Sequence, residues 1–227
     1  MVTKVSKLDD GFLVETKSGE SYQTRAVILA NGVRLRWLDV PGEKEFLSKG
    51  VCYSAVSYAP LFIDRVTSVY GEGMDALRSA AELATVASEV HLIGPSEVET
   101  ALDSVLGNKL KNTEKVKIHA GYKIVRITGD DYANHVSLEG PDGQPLELDT
   151  ECVFVEKDLV PNTEYVQDLV ALDKHGRVII DSINQTNVPG VFAAGDITNI
   201  YAEQVLVAVG EGAKAALTAY DYLLRYK

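Results

Sequence analysis

The sequence has 227 residues, 46% hydrophobic and 24% charged, which indicates a globular protein of one large or two small domains. The formal net charge of −11 at pH 7 argues against nucleic acids and anionic membrane surfaces as partners. We see no signal-peptide pattern and no apolar run long enough to cross a bilayer, so we expect a cytoplasmic protein without a membrane partner. Cys52 and Cys152 are far apart and form no C-x-x-C or zinc-ligand spacing, so each is expected to be a reduced, small hydrophobic residue.

Residues 4–29 predict a β-meander, because short β-prone runs alternate with acidic, glycine-containing turns at residues 9–11 and 18–20. Residues 26–29 are continuously apolar and predict a buried strand, which ends at Ala30, Asn31 and Gly32. The glycine there has two interpretations. It is either a simple turn after a strand or a place where a ligand approaches the backbone closely.

Residues 66–93 predict a βαβ unit of the Rossmann type. A strand over 66–70 is followed by a G-x-G-x-x-A turn at Gly71, Gly73 and Ala76, then by a helix and a second strand over 89–93. Such glycines let a pyrophosphate sit on the helix N-terminus. The alternative is that the same turn serves only tight packing of strand against helix.

Two features of this unit disfavour a nicotinamide dinucleotide. Glu72 and Asp75 place negative charge beside the pyrophosphate seat. The second strand ends without an arginine for a 2′-phosphate, and Glu97 is the nearest acid for a ribose. If NAD(P) is bound at all, NADH is therefore favoured over NADPH.

The following segment predicts a helix and a second set of strands. The helix is expected over 98–112, and the strands are expected over 116–119, 122–127, 135–138, 146–148 and 152–155, with a hairpin over 172–181. The four histidines, His91, His119, His135 and His175, show no metal-ligand spacing, so no metal site is predicted.

The last part of the chain combines a turn, a strand and a long helix. Pro189-Gly190 precedes a strand over 191–194, which stops at Gly195 and Asp196, and a helix runs from about 203 to 224. One stripe of the helix carries Val205, Val209, Ala213, Ala216, Tyr220 and Leu224. An aspartate at this edge either accepts hydrogen bonds from sugar-type hydroxyls or is an ordinary cap at a strand–turn–helix joint.

The segments PGVFAAGDIT and EQVLVAVGEGAKAA resemble the C-terminal FAD-contacting segment of the thioredoxin reductase-like flavoproteins, within the pyridine nucleotide–disulfide oxidoreductase group. The resemblance implies that Asp196, after Gly195, hydrogen-bonds the ribityl chain of FAD. It places Gln204 and Val205 beside the isoalloxazine ring. Ala30, Asn31 and Gly32 stand where the family has Ala-Thr-Gly close to the FAD, with Asn31 replacing the threonine.

The same resemblance identifies a redox site that has changed. In the family a tyrosine is followed by C-x-x-C and then by Asp, Ala and Pro. Here Tyr53 and Ala59-Pro60 match, but Ser54 and Ser57 occupy the cysteine positions and Tyr58 replaces the acidic proton donor. A serine hydroxyl cannot form a disulfide and is a poor nucleophile without a paired base. We therefore expect no dithiol exchange and predict no catalytic residue.

Family members begin with a G-x-G-x-x-G unit that holds the FAD adenosine and pyrophosphate, and Met1 corresponds to a point beyond it. The fold implied is α/β, with a Rossmann-like nucleotide-binding domain (βαβ plus β-meander) over 48–158. It is joined to an incomplete FAD-type domain formed by 1–47 and 159–227. We expect the uncovered surface to be buried by self-association, for example in a dimer, or by a partner chain that supplies the missing FAD-binding unit.

Two functional hypotheses remain open. The chain is either an FAD- and NAD(P)-binding oxidoreductase homologue that has lost dithiol exchange, or a non-catalytic, degenerate paralogue. In the second case it would act as a nucleotide-binding or interaction module. A flavin band in the visible spectrum would distinguish them.

Overall fold

The computed structural model describes residues 1–225, with the backbone alone at Val56. Its contacts divide the chain into a discontinuous unit, formed by Met1–Leu35 and Leu159–Lys227, and a continuous unit, Arg36–Asp158. The sequence analysis grouped residues 36–47 with the first of these, whereas their contacts lie with the continuous unit.

Fifteen strands and five helices are present in the described residues. The strands are β1 (Val2–Lys7), β2 (Phe12–Thr16), β3 (Ser21–Thr24), β4 (Val27–Leu29), β5 (Val33–Arg34), β6 (Val51–Cys52), β7 (Val66–Gly71), β8 (Glu89–Gly94), β9 (Val116–Ala120), β10 (Lys123–Gly129), β11 (Ala133–Glu139), β12 (Pro145–Asp149), β13 (Cys152–Glu156), β14 (Val160–Pro161) and β15 (Val191–Ala193). The helices are α1 (Ala55–Tyr58), α2 (Met74–Val86), α3 (Val98–Leu102), α4 (Val105–Lys111) and α5 (Val205–Arg225), with short 3-10 turns at Ala59–Phe62 and Gly195–Ile197.

A five-stranded parallel sheet forms the centre of the continuous unit, in the order β6-β13-β7-β8-β9. Strands β7, β8 and β13 are almost entirely buried, as strands of a parallel sheet covered on both faces are, and β13 is accordingly an almost continuous apolar run. Helix α2 connects β7 to the parallel strand β8, so the predicted βαβ unit and the Rossmann-like fold class are confirmed.

The second layer of this unit is the antiparallel sheet β10-β11-β12. Its inward residues, among them Ile127, Val136 and Leu138, pack in one cluster with Val153 and Val155 of β13. Residues 36–47 join the same layer, because the Ile127 N–H donates to the Pro41 carbonyl at 2.9 Å. A Cβ on Gly42 would lie only 1.9 Å from the Ile127 carbonyl oxygen, so this contact requires glycine.

The discontinuous unit is assembled from both ends of the chain. Strands β1, β2 and β3 form the predicted antiparallel meander. β4 lies outside it and pairs instead with β15 in parallel, while β5 pairs with β14. Phe12, Leu29 and Val191 belong to its main core. Helix α5 packs through Ala215 and Ala219 against Phe192 of β15.

Two local predictions differ from the structure. The helix expected over 98–112 is divided into α3 and α4, because the Ser104 hydroxyl accepts the Gly107 N–H at 3.1 Å and starts a new helix. The hairpin expected over 172–181 has only an isolated bridge between Leu172 and Val178. No helix within residues 1–225 has both the length and the apolar character that a membrane span requires.

Candidate functional site

One edge of the discontinuous unit collects the residues implied for FAD. Because β4 and β15 are parallel neighbours, their carboxyl ends meet, and the Ala194 N–H donates to the Leu29 carbonyl at 2.9 Å. The segments Ala30–Gly32 and Gly195–Asp196 therefore lie at the same edge. A Cβ on Gly32 would meet nothing within 4 Å, so the backbone there is open to a close approach.

Asp196 has a polar atom that the described residues leave unsatisfied. Its Oδ1 is buried and has no hydrogen-bond partner within residues 1–225. Buried side-chain oxygens are rarely left without a donor, so the position calls for a hydroxyl or N–H from a bound group. The ribityl chain of FAD carries such hydroxyls. The residues at this edge thus fit the polyol part of a flavin, and FAD bound here would supply redox chemistry.

Gln204 and Val205 mark the start of α5 beside this edge. The Gln204 carbonyl accepts the Ala208 N–H at 2.9 Å, which begins the helix, and the Val205 side chain is 79% exposed. Ala208 also faces Gly195, whose φ is +76° and whose added Cβ would lie 3.3 Å from the Ala208 Cβ. Helix and turn therefore meet tightly at Gly195, while Val205 is open at the adjoining end of α5.

Asn31 uses its side chain within the unit. Its Nδ2 donates to the Asn162 carbonyl at 2.6 Å, and its Oδ1 accepts the Tyr165 hydroxyl. Burial raises the pKa of Tyr165 to about 12, which keeps that hydroxyl protonated. The Asn31 amide thus ties the end of β4 to residues 162–165. The Asn31 and Gly32 carbonyls also accept hydrogen bonds, from the Asn162 side-chain amide at 2.9 Å and from the Asn162 N–H at 3.1 Å. A ligand would therefore approach the open space beside Gly32 rather than the Asn31 side chain.

The surroundings of Gly71 and Gly73 in the Rossmann turn show which of these glycines is needed for packing of strand against helix and which leaves space for a ligand. A Cβ on Gly71 would lie 2.4 Å from the Glu156 carbonyl oxygen and 2.7 Å from the Ala76 Cβ. Packing alone therefore requires Gly71 and explains the small residue at Ala76, which is fully buried. A Cβ on Gly73 would meet nothing within 4 Å, so this glycine leaves open space at the helix start.

A partly buried carboxylate at this turn was missed by the sequence analysis. Glu156 ends the buried strand β13 and lies opposite Gly71 in the register. Its Oε1 accepts the Ser79 hydroxyl at 2.6 Å and the Ala55 N–H at 3.3 Å. Burial raises the pKa of Glu156. The available signal was a charged residue at the end of an otherwise apolar run.

The other charges around this turn are also negative. Burial raises the pKa of the Tyr70 hydroxyl, and the nearby charges of Glu72 and Glu97 raise it further. The nearest cation on α2, Arg78, lies just beyond the first helical turn and is paired with Asp75 at 3.0 Å. A dinucleotide pyrophosphate would carry two negative charges into these carboxylates. These carboxylates therefore disfavour a nicotinamide dinucleotide, although the backbone shape of its turn is kept.

The two serines at the resemblance's dithiol positions are neighbours. Ser54 precedes the short helix α1, and its hydroxyl donates to the Ser57 hydroxyl at 3.1 Å. Tyr58, at the position of the proton donor, is exposed. The two hydroxyls are thus within hydrogen-bonding distance of each other at the positions that the resemblance assigns to the dithiol.

A fully buried carboxylate organises the segment before these serines. Glu43 is fully buried and accepts the Leu38 N–H at 2.7 Å, the Asp39 N–H at 2.8 Å and the Tyr53 hydroxyl at 2.5 Å. Burial and the hydrogen bond to Glu43 raise the pKa of Tyr53. Glu43 is thus satisfied by three donors and has a structural role.

Two histidines and the two cysteines form pairs that spacing did not reveal. His91 Nδ1 and His119 Nε2 on neighbouring strands are 3.2 Å apart, and burial lowers the pKa of His91 and lowers that of His119 to about 4. The thiols of Cys52 and Cys152 are 3.7 Å apart. No group of three or more metal-ligating side chains occurs in the part of the chain that the structure describes.

The family model described as pyridine nucleotide-disulphide oxidoreductase matches residues 2–212, most of the chain. The chain belongs to the pyridine nucleotide-disulphide oxidoreductase family. The F subunit of alkyl hydroperoxide reductase in Staphylococcus aureus is 34% identical over 224 residues, which are 98% of this chain and 44% of that protein. This chain thus spans less than half the length of that relative. The corresponding protein of Staphylococcus epidermidis is 35% identical over the same shares.

Solved structures of this oxidoreductase family show the same fold. Thioredoxin reductase from Streptococcus pyogenes superposes with a TM-score of 0.86 at 31% identity, over 98% of this chain and 73% of that one. Thioredoxin reductase from Giardia duodenalis gives 0.87 at 27% identity, over 98% and 74%. The resemblance to thioredoxin reductase-like flavoproteins, members of an FAD- and NAD(P)-dependent oxidoreductase family, is confirmed. The roles of the individual site residues stay predictions.

Proposed function

We propose that this chain is a flavin-contacting oxidoreductase homologue that does not carry out dithiol exchange at the position where its resemblance places a C-x-x-C pair. The observation that carries the proposal is the buried, unsatisfied Oδ1 of Asp196 at an open sheet edge. The hydroxyls of Ser54 and Ser57, 3.1 Å apart, support the loss of dithiol exchange, because oxygen cannot take part in a disulfide. The proposed location is the cytoplasm, where thiols are kept reduced.

The cofactor part of the proposal is FAD, held through its ribityl chain by Asp196, with Gln204 and Val205 beside the ring. The nicotinamide part is weaker, since the turn at Gly71 is surrounded by carboxylates. If a nicotinamide is used, NADH is proposed over NADPH, because Glu97 is the nearest candidate for a ribose hydroxyl and no arginine follows β8.

The visible spectrum of the purified chain, with FAD added, tests this proposal. We expect a flavin band that persists through desalting and is lost in Asp196→Ala. The matched control is Asp168→Ala, an exposed carboxylate of the same unit, which should retain the band. Equal flavin retention by the two variants would contradict the role of Asp196.

Dithiol exchange is tested by restoring sulfur. We expect the double variant with Ser54→Cys and Ser57→Cys to remain unable to reduce an aromatic disulfide with NADH, because the phenolic hydroxyl at Tyr58 is a much weaker acid than the carboxyl group that it replaces. Rapid disulfide reduction by that variant would show that the serines alone account for the loss.

The second candidate function is a non-catalytic paralogue acting as a nucleotide-binding or interaction module. The exposed face of α5 favours it: Val205, Val209, Tyr220 and Leu224 are all more than half exposed on one stripe. We propose that self-association or a partner chain carrying an FAD-binding unit covers this stripe. A colourless protein that associates through α5 would support this second function.

Sedimentation velocity measures that association. Val209→Glu should shift the chain toward the monomer, whereas Val105→Glu, on a 91% exposed residue of the other unit, should leave it unchanged. A wild-type chain that sediments as a monomer at every concentration tested would contradict self-association through this stripe of α5.

A further inference from the structure

Cys52 and Cys152 lie on neighbouring parallel strands of one sheet. β6 ends at Cys52 and β13 begins at Cys152, and the two strands pair through Val51 with Val153 and through Cys52 with Phe154. Both cysteines contribute to the same apolar cluster, on the helix-covered side of the sheet. Cys152 lies two residues along β13 from Phe154, the register partner of Cys52, and the fold brings together the side chains of these two cysteines, which are 100 positions apart in sequence.

The two sulfur atoms are in contact. The Cys152 thiol donates to the Cys52 Sγ, with 3.7 Å between the sulfurs. Formation of a disulfide would bring them to about 2.0 Å. The movement falls on β6, which is a two-residue strand at the edge of the sheet and carries only an isolated bridge between Val51 and Leu47 on its outer side. Such a strand can shift toward β13 without breaking a second ladder.

The two thiols differ in access and in acidity. Cys52 is partly exposed, whereas Cys152 is fully buried. The hydrogen bond from Cys152 lowers the pKa of Cys52, and burial raises the pKa of Cys152. Cys52 is therefore the sulfur that an oxidant can reach as a thiolate, and Cys152 is positioned to react with it afterwards.

We propose that Cys52 and Cys152 form a reversible intramolecular disulfide, with Cys52 as the reactive thiol and Cys152 as the resolving thiol, and with a hydroperoxide as the oxidant. This site does not depend on flavin or on the proposed function. It is also separate from Ser54 and Ser57, since neither sulfur belongs to that pair.

The chemistry takes two steps. The Cys52 thiolate attacks one oxygen of the hydroperoxide, the O–O bond breaks, and an alcohol leaves with a proton, so that Cys52 becomes a sulfenic acid. The Cys152 sulfur then attacks the Cys52 Sγ, the S–O bond breaks, and the hydroxide takes the Cys152 proton and leaves as water. In sum, two thiols lose two electrons and two protons, and the hydroperoxide becomes alcohol and water. An external thiol reverses the reaction by exchange.

The test uses the whole chain, reduced, desalted and treated with hydrogen peroxide near equimolar dose. We expect intact mass to fall by two hydrogens per chain, the thiols titratable after denaturation to disappear, and a linked Cys52–Cys152 peptide to be released by reduction. Monomers on a non-reducing gel should remain monomers. This measurement on the wild type needs no variant to fold.

Single variants assign the two roles. In Cys152→Ala, Cys52 should accumulate as sulfenic acid trapped by dimedone, and in Cys52→Ala the label on Cys152 should be about tenfold weaker, because a buried thiol holds little thiolate. Equal labelling of the two cysteines would overturn the assignment of roles. A wild-type chain that shows only further-oxidised Cys52, or only disulfides between chains, would overturn the proposal itself.

Discussion

The two glycines of the Rossmann turn lead to a matched pair of substitutions with opposite expected results. In Gly71→Ala the new methyl would lie 2.4 Å from the Glu156 carbonyl oxygen and 2.7 Å from the Ala76 Cβ. Real contacts of this kind are about 1 Å longer, and the obstructing oxygen belongs to the backbone of the buried strand β13. Neither neighbour can rotate away. We therefore expect a loss of about 3 kcal/mol in the free energy of unfolding, at the upper end for an overpacked core.

Gly73→Ala is the control, since its methyl would meet no atom within 4 Å and the backbone at φ −132° is extended. Its free energy of unfolding should stay within about 0.5 kcal/mol of the wild type. Trp37 is the single tryptophan and lies in the same unit, so its fluorescence during urea unfolding reports on both variants. If Gly71→Ala is no less stable than Gly73→Ala, the argument that packing requires Gly71 is refuted.

Three further predictions concern ionisable side chains, each checked by urea unfolding followed by circular dichroism across pH. Tyr53→Phe removes the hydrogen bond to buried Glu43 and should cost about 1.5–3 kcal/mol. Since folding raises the pKa of Tyr53, the wild type should lose its extra stability over the Tyr53→Phe variant as the pH rises above about 10. A difference in the free energy of unfolding that does not change with pH would contradict this prediction. Folding lowers the pKa of His91 and lowers that of His119 to about 4. The free energy of unfolding of the wild type should therefore be fully present above a pH of about 6.5 and fall as the pH drops toward 4. In the His119→Gln variant the free energy of unfolding should fall less steeply over the same range. Folding raises the pKa of His135, so its protonation stabilises the folded chain. The His135→Gln variant should therefore become less stable than the wild type as the pH falls below about 6.5, which is the opposite of the effect expected for His119→Gln.

The sequence was sufficient to predict the βαβ unit, because a strand, a glycine turn, a helix and a second strand each follow from local periodicity. It also predicted the stripe on α5, but the periodicity carries no information on whether that stripe meets other atoms. In the structure its valines and tyrosine are exposed, and the buried face is the row of small residues around Ala215 and Ala219.

The pairs that the sequence did not reveal depend on strand order. Cys52 and Cys152 meet because β6 lies beside β13, and His91 meets His119 because β8 lies beside β9. Neither neighbourhood can be read from spacing along the chain. The carboxylate of Glu156 was missed for a related reason: its surroundings come from Ser79 and Ala55, which belong to other elements.

The interrupted course of the discontinuous unit has a consequence for the order of folding. Asn31 and Asn162 exchange hydrogen bonds across 131 residues, and closing so long a flexible loop costs about 4 kcal/mol in chain entropy. The Lys157 ammonium donates to the Trp37 carbonyl at 3.1 Å, so the continuous unit, once formed, holds its own two ends together. Most of the long loop is then already closed. Amide protection during refolding should accordingly arise in β7, β8 and β13 before it reaches β4 and β15.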